Sequence, residues 1–76
     1  MTQREQIVIE QIRQVFANKG LTAPALNPQT ALDRSLGLES LDFAELAIRL
    51  EQVCGKDPFV SGVPPISTVA DLAALY

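Results

Sequence analysis

The chain has no histidine and no tryptophan, a single cysteine, a single tyrosine and no run of basic residues. Each gap excludes something. Without histidine, the commonest general base and metal ligand is gone. One cysteine, Cys54, cannot form an internal disulfide, which points to a reducing, cytoplasmic setting. A net charge of −3 without a basic cluster argues against nucleic acid and anionic membrane as partners. No apolar stretch is long enough to span a bilayer, and Met1-Thr2-Gln3-Arg4-Glu5 lacks signal-peptide character. Few aromatics within an apolar fraction of 47% indicate an aliphatic core and not disorder. At 76 residues the expectation is one small domain spanning 1–76, with a core only marginally able to support itself.

What is present is helical periodicity. Residues 3–18 read as a helix, with Thr2 as N-cap and Glu5 reaching back in a capping box. Val8, Ile12, Val15 and Phe16 fall on one face, Ile9 lies at its edge, and Gly20 is a plausible stop. Residues 20–37 form a long connection broken by Pro24 and Pro28, with a turn at Asn27-Pro28. Leu21, Leu26, Leu32 and Leu36 are its candidate tethers, and 31–36 reads as a helical turn or two capped by Thr30. A second helix spans 40–54, with Phe43, Leu46, Ala47, Leu50 and Cys54 gathered on its inward face. Cys54 is therefore read as a small core residue. Gly55 ends this helix, with Lys56 suited to its C-terminal dipole. Asp57-Pro58-Phe59-Val60-Ser61-Gly62 reads as one short helical turn with Asp57 as cap, and Pro64-Pro65 as an extended strut. Thr68 caps a last helix over 69–75, facing Val69, Leu72 and Leu75 or Tyr76 inward. The fold class is all-α: a small antiparallel bundle of three main helices plus one short helical turn.

The chain is organised around Gly37-Leu38-Glu39-Ser40-Leu41-Asp42. A glycine closes the loop there, and Ser40 opens the second helix as its expected N-cap. The helix dipole and the free first-turn amides make the spot hospitable to an anion. An ordinary N-cap after a loop has the same local pattern. On the solvent side of the same helix, Leu41 and Ile48 fall together beside Glu45 and Gln52, with Asp42 and Arg49 along one flank. Apolar contacts there would give grip to a partner, while carboxylates would steer and orient a basic one. Ser40 is not read as a catalyst. A nucleophilic serine needs a base within reach, and Lys19 and Lys56 lie far along the chain.

The length, the long first loop, Ser40 opening the second helix, Leu50-Glu51 and Ile66-Ser67-Thr68-Val69 together resemble the acyl carrier proteins over nearly the whole chain. The resemblance implies a non-catalytic carrier with covalent 4′-phosphopantetheine on Ser40, holding acyl groups as thioesters. It also implies that Glu39 helps engage the phosphopantetheinyl transferase. Leu41, Asp42, Glu45 and Ile48 stand where family members meet acyl-loading and acyl-processing enzymes with basic docking patches, the carrier acting as a monomer. In that family the acyl chain can withdraw between the helices, and small Ala47 and Cys54 would leave room for it here. Glu39 replaces the usual aspartate, Arg49 interrupts the acidic face, and the stretch after Gly55 is poor in carboxylates. These departures favour a specialised or secondary pathway over main fatty-acid synthesis. A peptidyl or aminoacyl carrier, or an unmodified helical adaptor, are the alternative readings.

Overall fold

The computed structural model describes residues 1–60, 62 and 65–76, and among these the architecture is three helices and one 3-10 turn. Helix α1, Gln3–Asn18, opens with the expected capping box: the Thr2 hydroxyl accepts from the Glu5 amide at 3.1 Å, and Glu5 accepts from the Thr2 amide at 2.7 Å. It ends in a Schellman-type closure. Leu21 N–H donates to the Phe16 carbonyl and Gly20 N–H to that of Ala17, both at 2.9 Å, with Gly20 at φ +75°. Val8, Ile9, Ile12, Val15 and Phe16 are buried, and Ile7, which belongs to no clear stripe in sequence, packs against the same core.

The connection from Gly20 to Gly37 is pinned and not helical. Asn27 and Thr30 close a turn around Pro28, with the Asn27 carboxamide accepting from the Gln29 amide at 2.8 Å. Ala31 and Thr68 form an isolated antiparallel bridge, flanked by Leu32 N–H to Ser67 carbonyl (2.8 Å) and Val69 N–H to Thr30 carbonyl (3.1 Å). Leu26 and Leu32 are buried, Leu36 is half-buried, and Leu21, expected as a tether, is exposed. The tether the pattern missed is Leu38, at 1% exposure. The expected helix over 31–36 contracts to the 3-10 turn Arg34–Leu36, and its cap is Asp33, which accepts from the Ser35 amide, instead of Thr30.

Helix α2, Ser40–Cys54, buries Leu46 and Leu50, with Phe43 and Cys54 half-buried against the core. Full burial was expected of Phe43; it sits instead at the rim of a cavity described below. Gly55 ends α2 in the left-handed region at φ +73°. Lys56, next after the Gly55 cap, donates its ammonium to the Tyr76 carbonyl at 3.2 Å. Asp57 accepts from the Phe59 amide as expected of a cap, yet 58–60 form a hydrogen-bonded turn and not a helical one. Ser61 of that turn and Pro64 of the expected strut lie outside the described residues. Helix α3, Val69–Ala73, is shorter than expected; Thr68 is its cap as expected, and Asp71 completes a capping box. Tyr76, more than Leu75, completes its inward face, at 5% exposure. No described helix is long and apolar enough to cross a membrane.

Candidate functional site

The loop reaches α2 through Gly37, whose φ of +103° suits glycine and few other residues. The ring of Phe16 lies 3.5 Å from where a Gly37 Cβ would stand, so the last turn of α1 abuts this corner. Lys19, just beyond α1, holds the corner in place. Its ammonium donates to the Gly37 carbonyl at 3.1 Å and to Asp42 Oδ2 at 2.8 Å, and lies 5.7 Å from the Phe16 ring centroid. Asp42 Oδ2 in turn accepts the Glu39 N–H at 2.9 Å.

This wiring changes the part played by each residue expected at the site. Glu39, and not Ser40, is the N-cap of α2; Ser40 is the first helical residue, and its hydroxyl takes no part in capping. The physical reason is Asp42. By accepting the Glu39 amide from the third helical position, it fixes the cap one residue before the serine. Ser40 is exposed, and it lines a mostly polar groove of about 550 Å³ with Arg34, Gly37, Leu38, Glu39 and Leu41. Asp42, expected on a partner-facing flank, is 9% exposed and committed to Lys19. The Lys19 ammonium and the Glu39 amide hold its carboxyl below the usual carboxylate range.

Along the outer face, Leu41 is 81% and Ile48 56% exposed, and both line a shallow groove with Asn18, Ala44, Glu45, Arg49 and Gln52. Glu45 is not free to meet a basic partner. Arg49 Nε donates to its Oε2 at 2.8 Å and the Asn18 amide at 2.9 Å, which together hold its carboxyl low. Of the carboxylates expected to steer partners on this side, Glu39 alone makes no ion pair among the described residues.

On the other side of α2 lies a cavity of about 410 Å³ with almost wholly apolar walls. Phe43, Ala44, Leu46, Ala47 and Leu50 of α2 form one wall; Leu32, Phe59, Ile66 and Leu72 close the rest. Ala44 borders this cavity and the outer groove alike. It stands four residues, about 6 Å of helical rise, beyond Ser40 on the same face.

Sequence spacing locates Ser40, Glu39, Leu41 and Ile48 at this corner of the surface, but it contains no sign of Lys19 or Arg34, which belong to other elements. Phe59 and Ile66 as cavity walls were equally hidden, since neither sits in a periodic helix. Compared with known families, residues 10–76 match the family model described as "Phosphopantetheine attachment site". No curated protein and no solved structure matches the chain.

Proposed function

Because the chain belongs to the phosphopantetheine attachment site family, we propose that it is an acyl carrier protein whose prosthetic arm is attached at Ser40. Members of the family carry 4′-phosphopantetheine covalently. The residues present fit that group. The Ser40 hydroxyl is exposed, spared from capping and open to a polar groove. When bound, the arm supplies a terminal thiol on which acyl groups are held as thioesters; the protein's own residues present, dock and shelter.

Gly37, Lys19 and Asp42 fix the corner that presents Ser40. Glu39 offers the transferase a carboxylate beside the acceptor oxygen. Leu41 and Ile48, with Glu45 at their edge, form the face on which the transferase and the acyl-handling enzymes dock. Asp42 belongs to the fold and not to that face. We read the three helices as the antiparallel bundle of the family and the chain as a non-catalytic carrier, serving a specialised pathway because Arg49 interrupts the acidic face and Asp42 and Glu45 are held in ion pairs.

The observation that favours an acyl over a peptidyl cargo is the apolar cavity one turn from Ser40. Its volume lies within the range of small-molecule sites, and its walls offer a peptide's amides almost no partners. Each methylene transferred from water gains about 0.8 kcal/mol before the cost of adjusting the walls. Melting temperatures of Ser40-linked species with successively longer saturated chains test this. The expectation is a progressive rise, of order a few degrees per methylene at most for so small a domain. A flat series would contradict the acyl reading and favour an aminoacyl or peptidyl cargo.

A further inference from the structure

We propose that Arg34 is a phosphate-binding residue, its guanidinium holding the phosphodiester through which the prosthetic arm is joined to Ser40. The inference rests on the reading of Ser40 as the attachment site. Arg34 comes from the 3-10 turn before α2, a different element from the serine, yet both residues line the same groove.

Three observations converge on it. The first is charge inventory. Lys19 is paired with Asp42, Arg49 with Glu45 and Arg13 with Glu10, whereas among the described residues Arg34, like Arg4 and Lys56, stands in no ion pair. It is also the one cation lining the Ser40 groove. The second is the company the new charge would keep. Glu39 lines that groove as well, so a phosphodiester on Ser40 adds a like charge beside a carboxylate in a chain whose net charge is already −3. Arg34 is the counter-charge that lines the same groove. The third is rigidity. The turn bearing Arg34 is closed at both ends: Asp33 accepts the Ser35 amide at 2.9 Å, and the Arg34 carbonyl accepts the Gly37 N–H at 3.0 Å. The backbone that carries the guanidinium is thus fixed to the same corner that fixes Ser40. A planar guanidinium suits two phosphate oxygens at once, with a strength and direction that an ammonium lacks.

The test compares apo and fully loaded protein, loading being confirmed by intact mass and peptide mapping. The Arg34 Nε–H resonance should shift on loading while those of Arg4 and Arg13 stay in place. In Arg34→Gln, loading should lower the melting temperature by about 3 °C relative to its effect on the wild type. That difference should shrink as salt is raised. Arg4→Gln, which removes the same charge away from the groove, should behave as wild type. An unmoved Arg34 resonance in loaded protein, with Arg34→Gln and Arg4→Gln responding alike, would overturn the assignment while leaving Ser40 as the attachment site. Wild-type protein that gains no mass at Ser40 would overturn both.

Discussion

Removing the Ser40 hydroxyl takes away the proposed acceptor oxygen but no cap, because Glu39 holds the N-cap position and Ser40 the first helical one. Ser40→Ala should therefore melt within about 0.5 kcal/mol of wild type. A serine acting as the cap would instead lose about 1 kcal/mol on the same change, so a thermal melt separates the two assignments. Asp42 is the residue whose removal should be felt. Asp42→Ala leaves the Glu39 amide and the Lys19 ammonium without their shared acceptor, loosening the corner from both sides. Its loss should raise amide exchange at Glu39 and Ser40 ahead of the rest of α2.

At the level of elements, α2 carries opposite demands on its two faces. Leu46 and Leu50 are 2% and 0% exposed, and truncating either to alanine should cost about 2–5 kcal/mol. Near-wild-type melting of Leu46→Ala would reverse the two faces. The outer face is more apolar than acidic, since Asp42 and Glu45 are held by Lys19 and Arg49. Docking of a transferase should then depend on Leu41 and Ile48 more than on salt. Ile48→Asp should raise the KM for loading about tenfold, while raising salt to about 0.3 M should change it less than about twofold. A steep salt dependence with an indifferent Ile48→Asp would show the reverse. The helices and the caps at Thr2 and Thr68 were legible in the sequence because their determinants lie within a few residues. Thr2 and Glu5 meet across one turn, as do Thr68 and Asp71. The placement of Asp42 was not legible, because its partner Lys19 is 23 residues away. The same holds for the Ala31–Thr68 bridge, which turns the long loop into a strap, and for Leu38, a buried anchor inside a motif read for its chemistry.

For the molecule as a whole, stability has a predictable pH window. Asp33, Asp42, Glu45 and Asp71 all have carboxyls held below their usual range by hydrogen bonds from Ser35, Lys19, Arg49 and the Ser67 and Thr68 amides respectively. A depressed carboxyl binds its proton more tightly in the unfolded chain, so its contribution is present above the ordinary range near pH 4 and lost as pH falls through the lower folded values. Tyr76 acts at the other end. Burial, reinforced by the charges of Cys54, Asp57 and Glu51, pushes its hydroxyl up to about 12, so its contribution holds below the ordinary value near 10 and fades as pH rises towards 12. Denaturant unfolding across pH should show a plateau between these limbs, and Asp42→Asn should flatten the acid one. The claim on which the rest stands is tested most directly by intact mass and peptide mapping after exposure to a phosphopantetheinyl transferase and coenzyme A. The account predicts one phosphopantetheine on Ser40 of the wild type and none on Ser40→Ala; a loaded Ser40→Ala, or an arm mapped to Ser35, Ser61 or Ser67, would contradict it.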